Sequence, residues 1–299
     1  MRALVTGATG FIGRRLLAKL DRPVVLTRDP HRARALLGPD LSLFAWDPAG
    51  GPPPAEAFRG IEVVFNLAGE SVGEKRWTRK RKAAIRRSRV SGTHNLVGAI
   101  EGLREKPRVL VSVSAVGYYG DRGDEPLDES APPGSDFLAE VCGAWEAEAS
   151  RAAGLGLRVV TPRLGVVLGP DGGALKKMLL PFKLGLGGRL GSGTQWMPWV
   201  HLDDAVGLLL HGARTSGLSG PVNAVAPAAV TNREFTKTLG AVLGRPTILP
   251  MPGFMLRIVV GEFAKVLLSS QRVVPRAAEK SGYTFAYPRL EGALRAVLA

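Results

Sequence analysis

Three glycines at a spacing of three, Gly7, Gly10 and Gly13, carry the first chemical signal of this chain. They stand in the segment Val5-Thr6-Gly7-Ala8-Thr9-Gly10-Phe11-Ile12-Gly13. Arg2 to Val5 read as a buried strand, and Arg14 to Leu20 read as a helix. A strand that turns into a helix through such a loop presents free backbone amides at the positive end of the helix dipole. The first glycine permits the tight turn, the second lets a phosphate approach, and the third lets helix and strand pack closely. The segment predicts a dinucleotide pyrophosphate held by Thr6, Gly7, Thr9, Gly10, Phe11, Ile12 and Gly13.

The end of the second strand, Val24 to Thr27, discriminates between cofactors. An acid there would bind a ribose 2′-hydroxyl and select NAD. Arg28 stands there instead, with Arg14 and Arg32 close in sequence. A guanidinium pairs with a 2′-phosphate, so NADP (NADPH) is expected and NAD is the less favoured partner. Asp29 is explained as the cap of a helix that opens at Pro30. Asp47, after a third strand from Leu41 to Trp46, either accepts from the adenine amino group or only closes a turn.

The elements that must position these residues alternate. Ile61 to Leu67, Arg108 to Ser114 and Leu157 to Thr161 read as further strands, with a long basic helix region and a helix from Phe137 to Ala153 between them. Such alternation argues a parallel sheet covered on both faces. After Arg163 the chain turns glycine-rich. His201 to Ala213 and Pro252 to Leu268 read as helical, Thr231 with Glu234 forms a capping box, and Pro288 to Leu298 reads as a last helix. The expected fold class is α/β: a Rossmann doubly wound parallel sheet of about seven strands with a smaller C-terminal α/β lobe. The expected domains are 1–165 and 166–299, with a strand near 221–225 returning to the main sheet.

Composition bounds the partners. The 299 residues suffice for one large or two modest units, and 45% hydrophobic with 22% charged residues is ordinary for a soluble protein. No apolar run reaches the roughly 18 residues of a membrane span, so no membrane partner is expected. Met1 leads almost directly into a strand, which argues against a signal peptide, and the single Cys142 excludes an intrachain disulfide; the expected location is the cytoplasm. The net charge of +14 predicts attraction to anions. Nine Lys or Arg and no acid lie between Lys75 and Arg89. This run is read as a solvated helix face, with nucleic acid as a less favoured alternative.

Further segments carry a resemblance. The glycine loop, Asn66-Leu67-Ala68-Gly69 and Trp199-Val200-His201-Leu202-Asp203-Asp204 resemble the extended short-chain dehydrogenase/reductase superfamily. Glu70-Ser71, Arg76-Trp77-Thr78, Ser88-Arg89-Val90, the run from Ser114 to Asp121, that from Pro162 to Gly169 and that from Trp196 to Trp199 are similar to an atypical subgroup. Its members are labelled epimerase family proteins or nucleoside-diphosphate-sugar epimerase-like, and some carry a cell-division-inhibitor label. The resemblance spans nearly the whole chain. It implies cofactor contacts from Leu67, Ala68, Gly69 and Arg89, and a C-terminal lobe that closes over substrate.

In the superfamily a Ser and a Tyr-x-x-x-Lys pair do the chemistry: the Lys lowers the Tyr pKa, and the Tyr moves a proton while the cofactor moves hydride. Ser114 matches the serine. Cys142 falls where the lysine belongs, the tyrosine is absent, and Arg89 replaces a supporting asparagine. Three readings follow. In the first, Ser114, Tyr118 or Tyr119, and Cys142 form a different catalytic site for redox chemistry or epimerisation, with Glu70, Arg163 and Trp196 contacting substrate. In the second, the chain binds NADP without chemistry, as a regulatory or scaffold protein. In the third, the basic helix serves nucleic acid or another partner. The first leads, with a small polar, sugar-nucleotide-like substrate; Arg86, Arg89 and Arg163 admit an anionic one. An oligomer is compatible with each. Glu146 reads as a surface residue. His201, Asp203 and Asp204 read as structural and not as metal ligands.

Overall fold

The computed structural model describes residues 1–299. Seven parallel strands form the main sheet: β1 (Ala3–Thr6), β2 (Val24–Thr27), β3 (Ser42–Ala45), β4 (Val63–Asn66), β5 (Val109–Ser112), β6 (Arg158–Leu164) and β7 (Gly220–Ala224). Their spatial order is β7-β6-β5-β4-β1-β2-β3. The order reverses beside β1, and open α/β sheets bind ligands at such a point. All four residues of β1, β4 and β5 are buried, as strands covered on both faces require.

Successive residues of each strand feed opposite layers. Leu4, Leu26, Val64 and Leu110 join one core with Leu96 and Ile100 of α3 (Arg79–Glu101). Val5, Val25, Phe65 and Val111 join the other with Leu16 of α1 (Phe11–Leu17) and Leu209 of α6 (Leu202–Arg214). The basic run thus occupies the first half of α3, with only Ile85 buried up to Arg89, and the second half packs. Thr78 caps this helix by accepting from the Arg81 amide. Asp29 caps α2 (Pro30–Leu37) in the same way from Arg32, as its sequence context suggested. Helix α1 begins three residues earlier than periodicity indicated, because its N-cap is Gly10, inside the loop.

β6 runs three residues past the expected Thr161, so Arg163 lies within it. Val109 to Val111 pair with Arg158 to Val160, and Ser114–Ala115 pair with Arg163–Leu164 in the same register. The ladder is interrupted only where Val113 stands level with Pro162, which has no N–H to donate. β7 joins the main sheet against β6, with Asn223 level with Arg163. Between them, α4 (Phe137–Ser150) crosses beside α3, capped by Asp136.

The remaining C-terminal residues build a lobe around Trp199, Phe182, Phe235, Leu239 and Leu294. Its parts are a parallel pair of short strands (Val166–Leu168 and Trp199–His201), α5 (Gly173–Lys183), α7 (Asn232–Leu243), α8 (Gly253–Val260), α9 (Ala264–Leu268) and, after α10 (Arg276–Lys280), which packs on the main sheet with Ala278 against Val160 and Val222, α11 (Leu290–Leu298). Thr231 and Glu234 form the capping box of α7. Two junctions join lobe and sheet. The Phe11 ring fills the space over Gly169, Gly172 and Gly173, where any Cβ would strike it. Buried Asp204 accepts from the Tyr283 hydroxyl and from the amides of Ala286 and Tyr287, which ties the C-terminal segment to α6. His201 caps α6, and Asp203 pairs with Arg15 at 2.6 Å. This acidic segment is a structural joint.

Candidate active site

Each glycine of the loop has its own steric reason. Gly7 has φ +68°, and a Cβ there would meet the Leu67 carbonyl group at 2.7 Å. A Cβ on Gly13 would collide with the Gly7 carbonyl and lie 2.7 Å from Ala8 Cα. Gly10 is the N-cap, and no side chain caps the amides that follow. The loop lies against the end of β4. Thr6, fully buried, is part of the cause: its hydroxyl donates to Asn66 Oδ1 at 2.8 Å and accepts from the amides of Leu67 and Ala68 at 3.1 Å. Thr6 therefore braces the loop from beneath and presents no free hydroxyl to a ligand, which corrects the sequence expectation. Thr9 is exposed at the loop.

Arg28 follows β2 and is mostly exposed. It reaches Glu70, which follows β4, at 3.3 Å. Because β1 lies between β2 and β4, this ion pair spans the mouth of the phosphate loop. Arg81 holds the other Glu70 oxygen at 2.8 Å, and this bond, ahead of the nearby charges, keeps the carboxyl below its ordinary pKa despite partial burial. Glu70 is thus committed to two arginines and has no carboxylate oxygen free for substrate. Arg32 is exposed. The Asp47 carboxylate accepts from the Ala49 amide at 3.1 Å, as a turn residue does.

Arg89 lies deeper, its guanidinium against Gly69 and over the Trp145 ring at 5.2 Å. Burial lowers its pKa. Nη1 donates to the carbonyls of Glu70 and Ile85, while Nε and Nη2 have no protein partner. These are unused donors in a low-dielectric setting, and Arg81 Nε is likewise buried without a partner.

The register Ser114↔Arg163 brings two candidates together. Ser114 Oγ donates to Glu146 Oε1 at 2.6 Å. Arg163 grips the same carboxylate with Nε at 2.9 Å and Nη2 at 2.8 Å, the bidentate geometry of a strong ion pair. Its Nη1 donates to the Tyr119 hydroxyl at 2.9 Å, which donates to Asn223 Oδ1 at 2.6 Å. Glu129 extends the network by accepting from the Asn223 amide. Burial alone would lower the Arg163 pKa, but the hydrogen bonds and charge of Glu146 raise it.

The network corrects several expectations. Glu146 is no surface residue: its side chain is 13% exposed and it is the centre of the cluster. Arg163 has every nitrogen engaged and none left for substrate. Tyr119 is fully buried, and burial pushes its hydroxyl up to about 12, so it is no acid or base near neutrality. Cys142, one turn before Glu146 on α4, has its thiol pushed up to about 11 by burial and then by the Glu146 charge. It is an unreactive thiol. Tyr118 stacks its ring under the Arg163 guanidinium at 3.5 Å and keeps its hydroxyl without a protein partner. Trp196 sits apart from this cluster, its indole donating to Asp124 at 2.7 Å with Arg272 over the ring.

Sequence reading missed the strap over the crevice. Trp77 packs on Phe137 at the start of α4 (5.2 Å) and on Phe263 of the lobe (5.7 Å). Lys82 pairs with Glu262, and Arg76 donates to the carbonyls of Ile258 and Val259. Only Trp77, the lone aromatic in a polar stretch, hinted at it.

A Rossmann sheet, a glycine loop at the strand-order reversal and a serine at the end of β5 define a dinucleotide-binding protein of the short-chain dehydrogenase/reductase class. The chain belongs to the NAD dependent epimerase/dehydratase family, whose model matches residues 3–224; residues 251–297 match a domain of unknown function. All of the chain is 41% identical to 87% of the "Epimerase family protein SDR39U1 homolog, chloroplastic" of Arabidopsis thaliana. It is 37% identical to 98% of the Epimerase family protein YfhF of Bacillus subtilis, again over its whole length. A crystal structure of human epimerase family protein SDR39U1 (isoform 2) with NADPH superposes with a TM-score of 0.88 at 37% identity, covering 99% of both chains.

Proposed function

We propose that this protein binds NADP(H) across the carboxyl ends of β4, β1 and β2 and catalyses hydride transfer to or from a small polar substrate. The observation that carries the catalytic half is the Ser114 hydroxyl donating to the Glu146 carboxylate, which Arg163 grips with two nitrogens. The residues fit the cofactor. Gly7 and Gly13 leave no room for side chains under the loop, the first amides of α1 are uncapped, and Arg28 lies where a 2′-phosphate would reach it. The NADPH of the human relative supports the same choice over NAD.

When bound, the nicotinamide supplies or accepts the hydride. The rest falls to this chain. In the oxidation direction the substrate hydroxyl loses its proton to Ser114 Oγ as Ser114 passes its own to Glu146, and the carbon loses hydride, so a carbonyl forms. Reduction runs the same steps backward. Arg163 fixes Glu146, Arg89 offers Nε and Nη2 to substrate or cofactor oxygens, and the free Tyr118 hydroxyl gives a second polar contact. The substrate lies between unit 1–165 and lobe 166–299, beneath the Trp77 strap. A sugar-nucleotide substrate, with epimerisation by hydride removal and return, is the finer form of this reading.

Calorimetry and a carbonyl-substrate screen test it together. Arg28→Ala weakens NADPH binding by about tenfold or more and barely changes NADH binding. Ser114→Ala retains NADPH binding but loses turnover. Turnover that survives Ser114→Ala removes the relay. A second reading, NADP binding without catalysis, is favoured by Leu138 and Cys142 standing where the Tyr-x-x-x-Lys pair would be; tight NADPH binding with no turnover across the screen selects it.

A further inference from the structure

The C-terminal lobe carries an apolar face that no part of the chain covers. α8 buries only Leu256, while Phe254, Ile258 and Val259 are 60 to 66% exposed. Leu180, Leu184 and Ile248 are 64 to 78% exposed. The two segments that carry these residues are joined at the backbone. The Met251 amide donates to the Arg189 carbonyl and the Gly191 amide to the Met251 carbonyl, both at 2.9 Å, and a Cβ on Gly188 would collide with the Leu249 carbonyl. Monomeric proteins rarely expose contiguous apolar surface of this kind without an interaction role.

The charge of the same segments is one-sided. Residues 173–190 and 244–260 contain six Lys or Arg and no Asp or Glu. Lys176, Lys183, Arg245 and Arg257 are exposed. A second copy of the chain would bring these cations against their counterparts, which opposes self-association. A peptide-binding groove would leave its apolar lining half-buried, whereas side chains about two-thirds exposed stand proud of the surface. A lipid surface with anionic headgroups satisfies both features. Protruding apolar side chains enter the acyl boundary while Lys and Arg remain at the phosphate level.

We propose that the face formed by residues 180–190 and 246–259 docks this protein on an anionic lipid surface. The attachment is peripheral, since no helix is long and apolar enough to cross a membrane. It also adjoins the crevice, because Arg76, beside Trp77 in the strap, bonds to the carbonyls of Ile258 and Val259. Docking therefore holds the mouth of the crevice close to the bilayer.

Co-sedimentation of the full chain with vesicles tests the proposal. The protein is expected to pellet with phosphatidylcholine vesicles containing about one quarter phosphatidylglycerol, and not with phosphatidylcholine alone. Ile248→Ser/Phe254→Ser/Ile258→Ser is expected to lose more than about tenfold of the partitioning. Lys183→Glu/Arg257→Glu is expected to weaken it at low salt more than at high salt. NADPH affinity and thermal midpoint report that the variants fold; if the triple variant does not, Phe254→Ser alone is measured in its place. Absence of pelleting with the anionic vesicles overturns the proposal. Pelleting undiminished by the apolar substitutions also overturns it, since the attraction is then the net charge of the chain acting from any face. A concentration-dependent dimer that the triple variant abolishes, without vesicle binding, assigns the face to a second copy.

Discussion

Glu70 and Arg28 show how one ion pair shapes the affinity of a site. The pair lies across the glycine loop. Under the proposed function a 2′-phosphate would compete with Glu70 for Arg28, and Glu70 would repel that phosphate. Exposed pairs are weak, so the effect is modest: Glu70→Gln is expected to tighten NADPH binding about two- to fivefold without a matching gain for NADH, by calorimetry. An unchanged NADPH-to-NADH ratio would mean that Arg28 is not the phosphate ligand. Cys142 and Tyr119 give the second residue-scale result. Burial raises them to about 11 and about 12 in the folded chain. In the unfolded chain they ionise lower, near their ordinary 9.0 and 10.0. Their contribution to stability is therefore complete below about pH 9 and is lost as pH rises through the folded values. The thermal midpoint is expected to fall between about pH 9 and pH 12, and Cys142→Ala should remove part of that slope. At this scale the sequence displayed Ser114, Tyr118 and Arg28 but hid their pairing. Glu146 looked like any helix carboxylate, because its role comes from Arg163, on a strand that continues past the expected Thr161 beside Ser114.

At the scale of elements, glycine is the informative residue, since only space separates its uses. Gly13 and Gly98 both sit in helices. Gly13 faces the Gly7 carbonyl and Ala8, and Gly98, in α3, faces open solvent. Gly13→Ala is expected to destabilise by about 2 kcal/mol and to abolish NADPH binding, as overpacking against backbone does. Gly98→Ala should stabilise by about 0.5–1 kcal/mol through helix propensity alone. Calorimetric unfolding of both variants checks the pair, and equal effects would show that the loop can yield. Periodicity located the strands well, because buried parallel strands read as short apolar runs. It misjudged the ends of α1 and β6. Gly10 caps α1 without a side-chain bond to announce it, and Pro162 within a strand runs against local propensity; tertiary contacts decide both.

For the whole molecule, closure is concentrated in a few contacts: the Phe11 ring over three glycines, the Asp204 joint, and Trp77 between Phe137 and Phe263. The first two are fixed packing. The third is a half-buried aromatic contact between lobe and sheet, suited to opening. Trp77→Ala is expected to increase proteolytic cleavage in the 70–78 segment while changing NADPH affinity less than threefold or so, since aromatic contacts of this kind are worth about 1 kcal/mol each. Protection equal to wild type would make the strap rigid. The α/β architecture, the sheet order and the return of the 220–224 strand follow from a pattern of elements that the sequence exposes. The strap and the apolar face do not, because both depend on which surfaces the fold leaves uncovered.

The buried Glu146 carboxylate has a consequence for any redesign of the site. It accepts from Ser114 once and from Arg163 twice. Writing the superfamily's motif back by Leu138→Tyr and Cys142→Lys would set an ammonium beside the Arg89 guanidinium with its natural counter-ion already engaged. A redesign that restores that pair must therefore remove a cation or add a carboxylate in the same step, because the charge balance around Glu146 is already set by Arg163.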